Sequence, residues 1–543
     1  MRKVSLCLVA GIIFFLSCQS YGQDIKADVQ YPMLPVLSQR DINPVMRVDL
    51  INRTGENYEI QKIDLELEGD DVSQIVESIS IYGAKNNGMI NSGKLLSNPL
   101  PALQKVSFED TFTIDTDTFS FWISIKLKED ISLQSRIRVI LTEIRTDPEV
   151  LRLSEKRPTE KLRVGVAVRQ HKQDGVHTSR IPGLETSKNG TLLAIYDARY
   201  DSGRDLQGHM DIALNRSTDG GRTWDPMQTV LDMNEWGGLP EKYNGVSDAC
   251  ILVDDNTGDI YVAGLWMHGV LDRETGRWVE GMTEDSTRWI HQWHAKGSQP
   301  GFGVKETSQF LITKSSDDGL TWSEPMNITP IKKREWWLFA PAPGHGITLA
   351  DGTLVLPTQG RDETGKPFSN ITWSKDGGKT WTTSNPATKN TTECMAVELS
   401  DGSIMLNMRD NRNRGNEEVN GRSVFITNDL GETWVEHHTS RNALIEPTCM
   451  ASLHKHVYQE NGEKKTMLLF VNPASTSKRN NITLKASYDD GNTWPEEKYI
   501  LLDEYSGRGY SCITSVNDTT IGILYESSQA DMVFQTVSLE ELK

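Results

Sequence analysis

The chain has 543 residues, enough for more than one domain and a large apolar core. Its composition is that of an ordinary globular protein, with 57 Lys+Arg against 75 Asp+Glu and a formal charge of −18. That balance excludes nucleic acid as the main partner, since a phosphate backbone needs a basic face, but it permits a small anion held by a local cluster of arginines.

The first segment, "MRKVSLCLVAGIIFFLSCQSYGQ", opens with Arg2 and Lys3 and continues with a mostly apolar run over 4–16. The run is too short for a membrane span and has the form of an export signal. The mature protein is therefore expected in the periplasm, on the cell surface or in the medium. Two processing routes fit. Ser20-Tyr21-Gly22 is a small-x-small site, which makes 1–22 a signal peptide cleaved before Gln23. "FLSC" resembles a lipoprotein box, which would leave a lipid anchor at Cys18. Simple cleavage is favoured, because Phe15 fits that box poorly. No later segment is apolar for long enough to be read as a transmembrane helix. Beyond the signal lie Cys250, Cys394, Cys449 and Cys512. Export permits disulfides, but each sits in or beside an apolar, strand-like stretch, which predicts buried free thiols. There is no CxxC and no His/Cys cluster at metal spacing.

Residues 23–160 alternate apolar and polar side chains, as in "VMRVDLINR", "IQKIDLELEG" and "FSFWISIKLKED", with Asn, Gly and Asp at the breaks. This predicts a small antiparallel β-sandwich-like domain. A carbohydrate-binding role and a bland packing role fit it equally. "RTDPEVLRLSEKRPTEK" would join it to the remainder, 161–543.

That remainder repeats. "STDGGRTW" at 217–224 returns as "SSDDGLTW", "SKDGGKTW", "TNDLGETW" and "SYDDGNTW". Around each octet runs a longer unit: a strand, an Asp/Asn-Gly turn, an apolar second strand, then a third strand leading into the octet. The second strands are "TLLAIYDAR", "DIYVAGLW", "TLVLPTQG", "SIMLNMRD", "TMLLFVNP" and "TIGILYES". A four-stranded unit of about 40–60 residues repeated in this way predicts an all-β, six-bladed β-propeller, with seven blades as the alternative. The last unit lacks an octet, so its closing strand is expected from the start of the domain, near Arg163 to Val168. The octet fits the turn between the third and fourth strands. Its Asp would accept turn N–H groups, its Gly would take a positive φ, and its Trp would cover the seam between blades. It is a structural device and carries no chemistry.

Because strands in a blade are antiparallel, the start of each first strand and the end of each second strand share one face of the disc. The polar residues there are Arg180, Asp205, Asp248, Glu393, Arg409, Arg479 and Tyr510. Nearby competitors are Asp201 and Asp211 for Asp205, Glu398 for Glu393, Arg412 and Arg414 for Arg409, and Lys478 for Arg479.

With these residues assembled, the segment 160–543 resembles the sialidases (neuraminidases) of bacterial and animal type. The octets resemble that family's Asp boxes, and "SRIPGL" its Arg-Ile-Pro motif. The resemblance implies an exo-α-sialidase that removes terminal sialic acid from glycans, glycoproteins or glycolipids without a cofactor. Arg180, Arg409 and Arg479 would grip the substrate carboxylate. Tyr510 would be the nucleophile with Glu393 as its base, the known sialidase exception to the usual carboxylate pair. Asp205 would be the acid and then the base, and two displacements would give retention. Asp248 matches a position near the glycerol or C4 side of the sugar. Trp266 and Met267, in "GLWMHG", would line an N-acetyl pocket, and Gln309 would touch the ligand. The long stretch 273–305, with Trp278, Trp289, His291, Trp293 and His294, would shape specificity for the aglycone. Two alternatives stay open. One is a trans-sialidase or an anhydro-sugar-forming relative. The other is a propeller that binds sialoglycans without cleaving them.

Overall fold

In the computed structural model, residues 24–543 are described except 70, 148, 149, 152, 154–156, 207, 269–280, 282, 284, 287–297 and 417. The signal segment, Cys18, and Trp278, Trp289, His291, Trp293 and His294 lie outside the described residues. The chain is nearly all β.

Each octet forms the same hydrogen-bonded turn. In the first copy Asp219 accepts the backbone N–H groups of Arg222 and Thr223, both at 3.0 Å, and the hydroxyls of Ser217 and Thr223 at 2.9 and 2.7 Å. Gly221 then donates to Ser217 Oγ at 2.9 Å. Its φ is 91°, and a Cβ there would lie 2.0 Å from the Phe534 ring, so only glycine fits. The same contacts recur around Asp317, Asp376, Asp429 and Asp489. The Trp of a copy often reaches the neighbouring unit. Trp224 meets Phe534 edge-on at 5.2 Å, Trp381 meets Tyr261 at 6.2 Å, and Trp434 donates to Asn385 O.

Among the described residues the repeats form six antiparallel units. The first four strands are Thr178–Thr186, Leu192–Arg199, Met210–Ser217 and Gln228–Leu231. The first strands of the later units are Asn244–Val253, the split Leu338–Pro341 and Ile347–Thr348, Thr391–Glu398, Ser452–Glu460 and Ser511–Asn517. These first strands pack beside one another in cyclic order, and the sixth returns to the first. The sixth unit takes its fourth strand from far upstream: Leu162–Arg169 pairs antiparallel with Met532–Ser538.

The preceding residues form two sheets around one core. One sheet contains Asn43–Asn52 and Thr118–Leu127, and the other contains Tyr58–Gly69 and Arg136–Thr146. Ile25, Val48, Phe121, Leu65 and Ile137 meet between them. The second sheet continues through Leu162–Arg169 into the sixth unit. Among the described residues, Cys250, Cys394, Cys449 and Cys512 are buried free thiols, as their apolar surroundings predict. No described helix is long and apolar enough to cross a membrane.

Candidate active site

At one end of the ring lies a cleft of about 930 Å³. It brings together seven of the residues picked out in the sequence: Arg180, Asp205, Asp248, Glu393, Arg409, Arg479 and Tyr510.

Backbone irregularity aims three of them. The first strands of the first, second and fourth units slip register between Arg180 and Gly183, between Ser247 and Cys250, and between Thr391 and Cys394. Each β-bulge turns a polar side chain toward the cleft that a regular strand would send elsewhere. Ile181 and Asp248 sit in the bulges with φ of 61° and 58°. For a β-branched residue such as Ile181 that conformation is strained, and such strain gathers at functional sites.

At the centre, the Tyr510 hydroxyl donates to Glu393 Oε1 in a short hydrogen bond. Arg409 Nη1 donates to Glu393 Oε2 at 2.6 Å and to Tyr510 Oη at 3.1 Å. The Arg180 and Arg479 guanidinium carbons lie 5.2 and 5.4 Å from the centre of the phenol ring. Three cations from three units thus surround one phenol. Glu526 holds the group in place from behind. It accepts from Arg180 Nε at 2.5 Å, from Ile181 N at 2.9 Å and from Tyr510 N at 3.0 Å. Arg479 donates to Arg508 O at 2.9 Å.

The electrostatics separate acid from base. Burial alone would raise the Glu393 carboxyl, but Arg409 and the Tyr510 hydroxyl outweigh it and hold Glu393 below the usual carboxylate range. Burial, and then the Glu393 charge, push the Tyr510 phenol well above its usual value. The pair rests as carboxylate and neutral phenol. Asp248 is also pushed well above the ordinary range, by burial and by the charges of Asp205, Glu393 and Asp197. It accepts from Gln359 Nε2 at 3.0 Å. Asp205 is different: its side chain is 42 % exposed, and it accepts from Arg199 Nη2 at 2.9 Å.

Three expected ligand contacts are corrected. Trp266, Met267 and Gln309 are buried and are not among the described residues that line the cleft. The Trp266 ring packs edge-on against Trp236 at 4.5 Å, in the apolar cluster between the first and second units. Met267 packs with Leu206, Leu265, Leu338 and Ala340. Gln309 donates to Thr307 O at 2.8 Å and accepts from Asn327 at 2.9 Å, so internal bonds occupy it. The competitors also have structural partners. Asp201 accepts from His209 N, Asp211 faces the His209 ring, Glu398 accepts from Ala350 N and Arg412 pairs with Asp410. Arg414, by contrast, lines the cleft, as do Arg199, Trp337, Gln359, Arg361 and Asn411, which the sequence reading passed over. Arg199, Arg361 and Glu526 all stand at or just after the end of a second strand, the place that Arg409 occupies in its own unit. Comparing the six repeats position by position would have found them.

Residues 181–504 match the family described as BNR repeat-like domain, and residues 24–149 match the N-terminal domain of BNR-repeat neuraminidase. A sialidase of Bacteroides fragilis is 39% identical over 95% of this chain and 95% of its own length. The chain belongs to the bacterial sialidase family. A sialidase of Paraclostridium sordellii is 31% identical over 64% of this chain and 81% of that protein. Among solved structures, a Hadza microbial sialidase is similar at 34% identity and a TM-score of 0.83, covering 95% of this chain and all of that one. An intramolecular trans-sialidase of Ruminococcus gnavus shares the fold at 20% identity and a TM-score of 0.53, over 69% of this chain and 97% of its own. The sialidase described here is a glycoside hydrolase that cleaves sialic acid.

Proposed function

We propose that this enzyme is a retaining exo-α-sialidase that acts on terminal sialic acids of glycoconjugates. The single observation that carries the reading is the Tyr510 hydroxyl donating to Glu393 within a ring of three guanidinium groups. The substrate has a carboxylate on the very carbon to be attacked. Arg180, Arg409 and Arg479 would receive that carboxylate in charge-assisted hydrogen bonds. An Asp or Glu nucleophile would be repelled by it. A neutral phenol is not, and Glu393 is poised to take the phenol's proton as the bond to carbon forms. The neighbouring cations lower the cost of negative charge on the phenol oxygen at that moment. Asp205, partly exposed at the rim, would protonate the departing oxygen and then deprotonate the incoming water. Asp248 would meet the sugar on the Gln359 side of the cleft. Two displacements at one carbon give net retention.

The same reading includes an export signal over 1–22, a sandwich over 23–160 and a six-bladed propeller over 161–543. The test is incubation with 3'-sialyllactose, followed from the first minutes by proton NMR. The α-anomer of free sialic acid is expected first. The β-anomer appearing first would sink retention, and an anhydro or transferred product would favour the transglycosylating alternative. No release at all would leave a binding propeller.

A further inference from the structure

Asp205 does not sit on a strand. It sits on the loop that joins Leu192–Arg199 to Met210–Ser217, and such a loop has to be held if its carboxyl group is to meet a leaving oxygen. Two anchors are near the tip. Arg199 donates to Gly203 O at 3.2 Å and to Asp205 at 2.9 Å, and Leu206 packs against Leu265, Met267, Leu338 and Ala340. The third anchor is the neck. Tyr200 N donates to His209 O at 3.2 Å, and His209 N donates to Asp201 Oδ2 at 3.1 Å. The imidazole stacks on the Tyr200 ring at 4.2 Å and 17°. Its Nε2 then lies 3.3 Å from Asp211 Oδ2 and 3.2 Å from Glu241 Oε1. Glu241 opens the short 3-10 helix that leads into the first strand of the second unit. One side chain therefore ties both ends of the loop to the neighbouring unit.

We propose that His209 is a positioning residue for Asp205: it clamps the neck of the loop between Asp211 and Glu241 and so sets where the Asp205 carboxyl meets the leaving oxygen. The inference rests on the reading of Asp205 as the acid.

The clamp has a charge requirement. Asp211 comes from the strand that His209 leads into, Glu241 from the 3-10 helix, and Asp232 follows the strand Gln228–Leu231. Without a cation between them these carboxylates repel one another. A neutral imidazole can donate from Nε2 to one carboxylate at a time, whereas an imidazolium attracts both. Burial lowers the affinity of His209 for its proton, but Asp211, Glu241 and Asp232 outweigh burial and raise the pKa above the usual value. The three carboxylates thus favour the imidazolium as the cation between them. A metal ion could meet the same charge requirement, because ligand atoms of His209, Asp211 and Asp232 lie within 4.8 Å of one another. The experiment separates the two.

A sugar leaving group needs its proton; an aryl oxide leaves largely without one. Values of kcat/KM for 3'-sialyllactose and for 4-methylumbelliferyl sialoside, measured against pH, therefore report the positioning of the acid. Asp205→Asn tests the underlying reading, and it should depress sialyllactose cleavage much more than aryl cleavage. His209→Ala and His209→Gln should show the same selectivity more mildly, with sialyllactose falling about 10- to 100-fold and the aryl substrate far less. Equal loss on both substrates, or no loss while Asp205→Asn remains selective, overturns the clamp and leaves the acid assignment standing. Absence of selectivity in Asp205→Asn overturns the acid assignment itself. Loss of wild-type activity in EDTA, restored by a divalent cation, overturns the proton-held clamp in favour of a metal-held one. Should His209→Ala melt early, His209→Gln, which keeps size and one donor, carries the test.

Discussion

Tyr510 and Glu393 form a pair in which each group sets the state of the other. The carboxylate accepts the phenol's hydrogen, and its charge keeps that hydrogen on oxygen until substrate arrives. Tyr510→Phe removes the nucleophile and leaves the three arginines, so kcat/KM should fall by about 10⁴-fold or more. Binding of free sialic acid, followed by calorimetry, should survive; unchanged turnover would end the assignment. The pH profile gives a second check. Glu393 is depressed in the folded protein, so it works as a base above its pKa and fails as pH falls through it. The acid limb of kcat/KM should therefore lie below the ordinary glutamate value of about 4.3. A limb well above that value would mean that another group limits the rate. The site was legible in the sequence where a residue type had to match a charge: three arginines for a carboxylate, one tyrosine beside one glutamate. It was not legible where backbone geometry decides. Nothing in "GLWMHG" tells that Trp266 and Met267 face neighbouring packing and not the cleft. Nothing in "SDACILVD" announces the bulge that turns Asp248 inward.

Among the structural elements, the octet turns out to join units as well as turn the chain. Trp381 is 6 % exposed and packs on Tyr261 of the preceding unit, whereas Trp434 is only half-buried, at the edge of the apolar cluster it packs against, and donates to Asn385 O. Trp381→Ala should cost about 3–5 kcal/mol, the range for a large aromatic lost from a packed site. Trp434→Ala should cost clearly less, although the two octets read alike in sequence. Chemical denaturation of both variants decides; equal losses would mean that the indoles act only within their own turns. This also marks the limit of what the repeat could reveal about the fold. Period, strand order and turn chemistry were legible, since the second and third strands lie where the apolar runs fall, from Leu192–Arg199 to Thr520–Tyr525. The grade of each seam was not, because it depends on which residue of another unit lies opposite.

For the molecule as a whole, the decisive feature is the strand Leu162–Arg169. On one edge it pairs with Met532–Ser538 and completes the sixth unit, the one that presents Tyr510. At its other edge it pairs with Val36–Ser38 in parallel and with Arg136–Thr146. Polar contacts reinforce the joint: Arg136 and Arg163 both reach Glu541, Gln134 donates to Thr536, and Glu504 N donates to Met33 O. The sandwich and the ring therefore share a strand, and the apolar cluster of the sandwich runs on to Leu184, Leu192 and Phe534. A chain beginning at residue 170 loses the closing strand, so the first and last units come apart and Tyr510 loses its support. A chain beginning at residue 161 keeps the strand but leaves its outer edge unpaired and its apolar flank in water, an arrangement prone to association. Melting temperature and sialyllactose turnover should fall together in the order 24–543, 161–543, 170–543, with the shortest chain inactive. If 170–543 turned over substrate at the full rate and melted with the longest chain, the ring would be closed by packing alone, and the shared strand would be a tether and not a structural member.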